Sequence, residues 1–136
     1  MCGAGAPARE TLEAQPANVQ SFFVDLLTVI PMPSSTYLAL WEFQVKPESI
    51  SAFEETYGPD GAWAQLFRQS PDYLGTELLR DLNHPGRYLT LDRWTSHEAL
   101  GRFKKDHYAD YSALDQQCES LTEREAFLDD FESVAP

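Results

Sequence analysis

The chain has 136 residues, 43% hydrophobic and 12% aromatic, enough to bury one core and too apolar for a disordered chain. A formal net charge of −12 argues against nucleic acid and anionic membrane as partners, because both are polyanions. Two cysteines, Cys2 and Cys118, make no disulfide framework, and no Cys-x-x-Cys is present, a composition that fits a reducing compartment.

In chain order, MCGAGAPARETLEAQPAN is small, polar and proline-containing, and reads as a flexible tail. Phe22, Phe23, Leu26, Leu27 and Ile30 then recur at three- and four-residue steps, which predicts a short amphipathic helix over Val19–Ile30, with a strand as the alternative. FFVDLLTVI is too short to span a bilayer and contains Asp25, and Arg9 is the only base upstream of it. Neither a membrane helix nor a secretory signal is indicated, so the expected location is cytoplasmic. Pro31 and Pro33 end the segment, giving an N-terminal extension over 1–35 and a folded domain over 36–136.

TYLALWEFQV predicts a strand with Tyr37, Ala39, Trp41, Phe43 and Val45 on one face and Leu38 and Leu40 on the other. Pro47 suits a first helical turn, and Ile50, Phe53 and Tyr57 form its apolar stripe. GPDG interrupts this helix, and Trp63, Leu66 and Phe67 mark a second piece. YLGTELLRD and RYLTLDRW follow as strands of an antiparallel hairpin around the turn residues Asn83, Pro85 and Gly86. Thr95 and Glu98 match the capping box that opens a helix. That helix carries Ala99, Leu100 and Phe103, and a continuing or further helix carries Tyr108, Tyr111, Leu114 and Cys118, the last as a small buried hydrophobe. REAFLDDFESV is the last strand. The acidic run from Asp110 to Glu132, which contains Arg124 as its one base, reads as a solvated face.

Strand, helix, strand, strand, helix, strand is an α+β order. With two right-handed crossovers it gives a ferredoxin-like βαββαβ fold, a four-stranded antiparallel sheet with helices on one face. The opposite face would carry exposed leucines, and a symmetric homodimer packed sheet to sheet is the economical way to cover them.

From Thr36 to about Phe131 the sequence resembles the antibiotic biosynthesis monooxygenase family of the dimeric α+β barrel superfamily. The resemblance rests on TYLALWEFQVKPESISAFEETYGPDGAW, PDYLGTELLRD, GRYLTLDRWTSHEALGRF and KKDHYADY, above all on the strand-ending Trp94 followed by Thr-Ser-His-Glu-Ala-Leu. It implies a homodimer whose sheets form a barrel, with a pocket between sheet and helices in each subunit. It also implies a cofactor-independent monooxygenase acting on an aromatic or quinol-type small molecule, in which the substrate anion supplies the reducing power. The alternatives are a non-catalytic ligand-binding or dimerisation module of the same fold, and a non-oxidative cyclase or isomerase.

Haem-degrading relatives resemble one another through an Asn on the first strand and a Trp and His on the second helix. Here the first strand reads LWEF and no tryptophan lies between Thr95 and His107, a departure that speaks against haem degradation.

His107 is the candidate catalytic base. In one continuous helix Phe103, His107 and Tyr111 share a stripe, and an imidazole exchanges protons near neutral pH. Trp41, Trp63 and Trp94, with Phe103, Tyr108 and Tyr111, are the candidate walls for a flat substrate, although core packing explains each tryptophan equally well. Tyr73 and Tyr88 offer hydroxyls for a polar substrate edge, with packing as the plainer reading. Arg80 and Arg93 offer charges for a substrate anion, with surface ion pairs to the adjacent Asp81 and Asp92 as the plainer reading. His84 and His97 are expected at the surface. Asp106, His107 and Asp110 lack a third strong ligand and a His-Glu-x-x-His spacing, so no metal is expected, and no glycine-rich loop follows a strand to hold a nucleotide cofactor.

Overall fold

Alternating burial along Tyr37–Val45 (β1) puts Tyr37, Ala39, Phe43 and Val45 in the core, as β-branched and aromatic residues at period two should do. The computed structural model describes residues 35–134; Cys2 and the helix expected over Val19–Ile30 lie outside the described residues. After β1 come a 3-10 turn (Pro47–Ser49), α1 (Ile50–Tyr57), α2 (Ala62–Phe67), β2 (Tyr73–Arg80) and β3 (Arg87–Trp94). Then follow α3 (His97–Asp106), α4 (Tyr108–Cys118), a 3-10 turn (Glu119–Leu121) and β4 (Thr122–Glu132). All neighbouring strands are antiparallel in the order β2-β3-β1-β4, so the fold is the ferredoxin-like βαββαβ sandwich.

The helices bury their stripes against one sheet face. Phe53 and Tyr57 of α1, Trp63 and Phe67 of α2, and Leu100 and Phe103 of α3 meet Phe43, Tyr73, Tyr88 and Trp94 of the strands. Phe67 is the hub, its ring 5.4 Å from Trp94 and 5.2 Å from Phe103, both edge-on. Burial pushes the Cys118 thiol up, in keeping with a small core residue.

Two local expectations are corrected, and one alternative left open is decided. The α3 cap is Ser96, whose hydroxyl accepts from Ala99 N–H, while Thr95 donates instead to Asp72. Arg80 pairs with Glu54 and Arg93 with Glu77, not with Asp81 and Asp92. Consecutive strand residues point to opposite faces, so an arginine cannot meet its sequence neighbour across the pleat. Finally, α3 and α4 are separate helices. His107 breaks them at φ −118° and ψ 33°, its N–H donating to Phe103 and its carbonyl accepting from Tyr111 N–H.

Two strands carry an extra residue beside the core. On β2, Tyr73 pairs with Trp94, Gly75 with Arg93 and Thr76 with Asp92, leaving Leu74 as the bulge. Gly75 sits at φ 142°, a conformation that glycine adopts without strain. On β4, Phe127 pairs with Trp41 and Asp129 with Leu40, leaving Leu128 as the extra residue. Each bulge brings residues three apart onto one face, Tyr73 with Thr76 and Phe127 with Asp130.

The other sheet face carries Leu38 and Leu40 of β1, Leu89 and Leu91 of β3, Leu79 of β2 and Phe131 of β4. Leu79 and Phe131 are 40% and 49% exposed. No helix among the described residues is long and apolar enough to cross a membrane.

Candidate functional site

Between β1, β3 and β4 and the first turns of α3 lies a cavity of about 350 Å³, within the range of small-molecule sites. Its aromatic walls are Tyr37 and Trp41 of β1, Trp94 of β3 and Phe127 of β4; Leu100 and Gly101 of α3 close the helix side. The indole of Trp41 packs edge-on against Phe127 at 5.5 Å. Trp94 is wholly buried, and its Nε1–H has no hydrogen-bond partner among the described residues.

Four polar side chains join these rings: Asp92, Asp130, His97 and Lys104. Asp92, 1% exposed, points to the helix side of the sheet together with Thr90 and Tyr88. Its Oδ1 accepts from Thr76 Oγ1 at 2.6 Å. Asp130 accepts from the Tyr37 hydroxyl at 3.0 Å. Burial, then the bond to Asp130, then the charges of Asp130 and Asp92 push the Tyr37 phenol well above its ordinary value, so it stays a neutral donor. His97 opens α3, exposed at the cavity rim, its ring 5.1 Å from that of Tyr37. The Lys104 ammonium lies over the Tyr111 ring at 5.5 Å. A shallower groove continues from the rim past His97 and Asp130 to Ser35 and Glu132.

Of the residues singled out from sequence, Trp41 and Trp94 lie together on the cavity wall. Trp63 does not: it is 1% exposed and packed between Tyr57, Phe67 and Tyr111. Phe103 is core, Tyr111 packs edge-on against Trp63, and Tyr108 is 71% exposed. His107 stacks on Phe103 at 4.4 Å, and Phe103 in turn meets Trp94, so two rings stand between His107 and the cavity. The cavity lies against His97, Leu100, Gly101 and Lys104 of α3, whereas His107 follows the far end of that helix. His84 is an exposed loop residue bonded to Asp81. Among the described residues no three His, Cys, Asp or Glu side chains converge as a metal site.

Sequence reasoning missed Asp92, Asp130, Tyr37 and Phe127; it placed His97 at the surface of the first helical turn, where it is, but not beside the cavity. A signal for Asp92 was present: in RYLTLDRW it shares parity with Tyr88, Thr90 and Trp94, so the alternation already placed a carboxylate on the buried face. For Asp130 no such signal exists, because the bulge shifts the alternation just before it.

An α+β sandwich with an aromatic-walled cavity and acid–base groups on both its sheet and helix sides is a pocket-bearing ferredoxin-like domain. The antibiotic biosynthesis monooxygenase profile matches residues 36–114, and the chain belongs to that family. Its fold is similar to that of a Pseudomonas aeruginosa protein, 15% identical with a TM-score of 0.50, over 78% of this chain and 99% of that one. It is also similar to a Nitrosomonas europaea protein described as a possible antibiotic biosynthesis monooxygenase, 14% identical with a TM-score of 0.53, over 74% and 89% of the two chains. SnoaB, a cofactor-independent oxygenase of Streptomyces nogalater, is 20% identical with a TM-score of 0.47, over 75% and 93%. No curated protein sequence matches the chain.

Proposed function

We propose that the chain is a cofactor-independent monooxygenase that oxidises an aromatic or quinol-type small molecule in this cavity, and that it works as a homodimer in the cytoplasm. The observation that carries the reading is the meeting of an apolar, ring-walled cavity with a histidine at its rim. His97 takes the proton-accepting role that the sequence suggested for His107. For an anthrone-like substrate, His97 removes a proton to leave an electron-rich anion, and the anion reduces dioxygen. A carbon–oxygen bond forms and the oxygen–oxygen bond breaks. One oxygen atom ends as the product carbonyl, and the other leaves as water with the two hydrogens lost from the substrate carbon. The aromatic walls hold the flat anion, and the imidazolium that His97 becomes on taking the proton, together with the Lys104 ammonium on the same side of the cavity, offsets its charge. The leucines of the outer sheet face supply the surface for the dimer.

The test is oxygen uptake by purified, metal-stripped protein with a panel of hydroquinones and anthrones. Uptake that requires the protein, falls at least tenfold in His97→Ala and persists in His107→Ala supports the reading; a tenfold fall is about 1.4 kcal/mol of barrier. No uptake above the uncatalysed rate throughout the panel moves the domain to the binding modules. A fall confined to His107→Ala returns the base to the helix junction.

A further inference from the structure

Asp92 is buried at 1% exposure among aromatic rings, yet it lines the cavity. Its orientation has a visible origin. The β2 bulge at Leu74 brings Tyr73 and Thr76 onto the inner face, and Thr76 is the direct cross-strand neighbour of Asp92. The Thr76 hydroxyl has one hydrogen and gives it to Asp92 Oδ1 at 2.6 Å. The bond between Tyr73 and Thr76, 2.7 Å long, therefore runs from the Tyr73 hydroxyl to Thr76 Oγ1. Tyr73, Thr76 and Asp92 form a directed chain in which each donor polarises the next. Such a chain holds one carboxylate oxygen still and fixes the plane of the whole group.

The charges around the cavity are also divided. The carboxylates Asp92 and Asp130 belong to the strands, and His97 and the Lys104 ammonium belong to α3. A ligand between them meets acceptors on the sheet side and an imidazole and an ammonium on the helix side.

We propose that Asp92 is the recognition group of the cavity, accepting a hydrogen bond from a hydroxyl of the substrate, with Thr76 and Tyr73 as positioning residues. The inference rests on the cavity being a small-molecule site, as read above, and narrows its ligand class. The ligand is a neutral aromatic molecule with a phenolic hydroxyl at its inner end. An ether at that position offers no hydrogen, and a carboxylate meets like charge in a desolvated setting.

The experiment is calorimetric titration of the full chain with three probes of one ring size: naphthol, methoxynaphthalene and naphthoate. Naphthol is expected to bind about tenfold or more tightly than methoxynaphthalene, the scale of a hydrogen bond to a charged acceptor, and naphthoate least of all. In Asp92→Asn that preference shrinks severalfold, while methoxynaphthalene still binds. Thr76→Val shrinks it in the same direction and Thr76→Ser restores it, a rescue that a merely structural role of Thr76 would not produce. Circular dichroism checks that each variant is folded, and if Asp92→Asn is not, the Thr76 pair decides. Equal binding of naphthol and methoxynaphthalene by the wild type, or a preference undiminished in Asp92→Asn and lost in His97→Ala, overturns the role of Asp92 while the cavity stands. Binding of none of the three overturns the site itself and Asp92 with it.

Discussion

The Tyr37 hydroxyl donates to Asp130 Oδ2 across 3.0 Å, tying the first strand to the last at the cavity edge. Burial is the largest cause that raises the Tyr37 phenol, followed by this bond. The folded state therefore keeps a proton that the unfolded chain releases near pH 10, roughly the ordinary value for tyrosine. The stability involved is fully present below that pH and is lost as pH rises towards the folded value. Tyr37→Phe should cost about 1 kcal/mol at neutral pH and give a flatter decline above about pH 10. Urea midpoints measured against pH for both proteins check this, and parallel alkaline curves would show that Tyr37 is not the group responsible.

Trp63 and Trp41 separate stability from binding. Trp63 is enclosed by Tyr57, Phe67 and Tyr111, whereas Trp41 is half-buried on the cavity wall. Trp63→Ala is expected to cost about 3–5 kcal/mol, enough to threaten folding of a domain this size. Trp41→Ala should cost less and weaken naphthol binding instead. Denaturation and calorimetry on the two variants, run side by side, give the comparison; a stable Trp63→Ala would mean that the core collapses around the gap.

Gly75 holds φ at 142°, and a Cβ added there would meet no atom within 4 Å. The cost of Gly75→Ala is therefore one of backbone strain, on the order of 1–3 kcal/mol. The variant should also loosen the link from Tyr73 to Thr76, because the bulge sets their common face. A thermal melt measures the first effect and the loss of hydroxyl preference in ligand binding measures the second. An unchanged melting temperature would mean that β2 absorbs the change by moving the bulge.

The proposed homodimer makes its own demand on the outer face. Leu40 and Leu91 are directly paired on β1 and β3, at the middle of the leucine patch. Leu40→Arg and Leu91→Arg should each convert a dimer into a folded monomer in sedimentation equilibrium, since a buried unpaired charge is costly. A wild-type chain that sediments as a monomer at micromolar concentration would remove this surface from the proposal.

Much of the fold could be read from the sequence because the signals were strong and local. Period-two burial in Tyr37–Val45, the three- and four-residue steps of Phe53 and Tyr57, and the turn residues of the Asn83–Gly86 loop each fixed one element. The cavity was harder to read. Helical periodicity ran through His107 without a visible stop, because no glycine or proline marks the break between α3 and α4. His97 resembled any polar residue of a first helical turn; its place at the rim depends on β1 and β4, which are distant in sequence. Three tryptophans, of which Trp41 at the centre of β1 promised most, divided into two wall residues and one core residue for the same reason: tertiary surroundings decided it.

The Leu128 bulge has a consequence for how this cavity is encoded. Strict alternation from Phe127 would turn Asp129 and Phe131 inward; the strand instead turns Asp130 inward and Phe131 towards the leucines. β4 thus changes the phase of its alternation at Leu128, as it also does between Thr122 and Arg124. The acidity of the cavity edge is a matter of counting as much as of composition: a chain lacking Leu128 would keep the same inner face without the kink, whereas a pairing slip of one residue beyond the bulge would exchange a carboxylate for a phenyl ring.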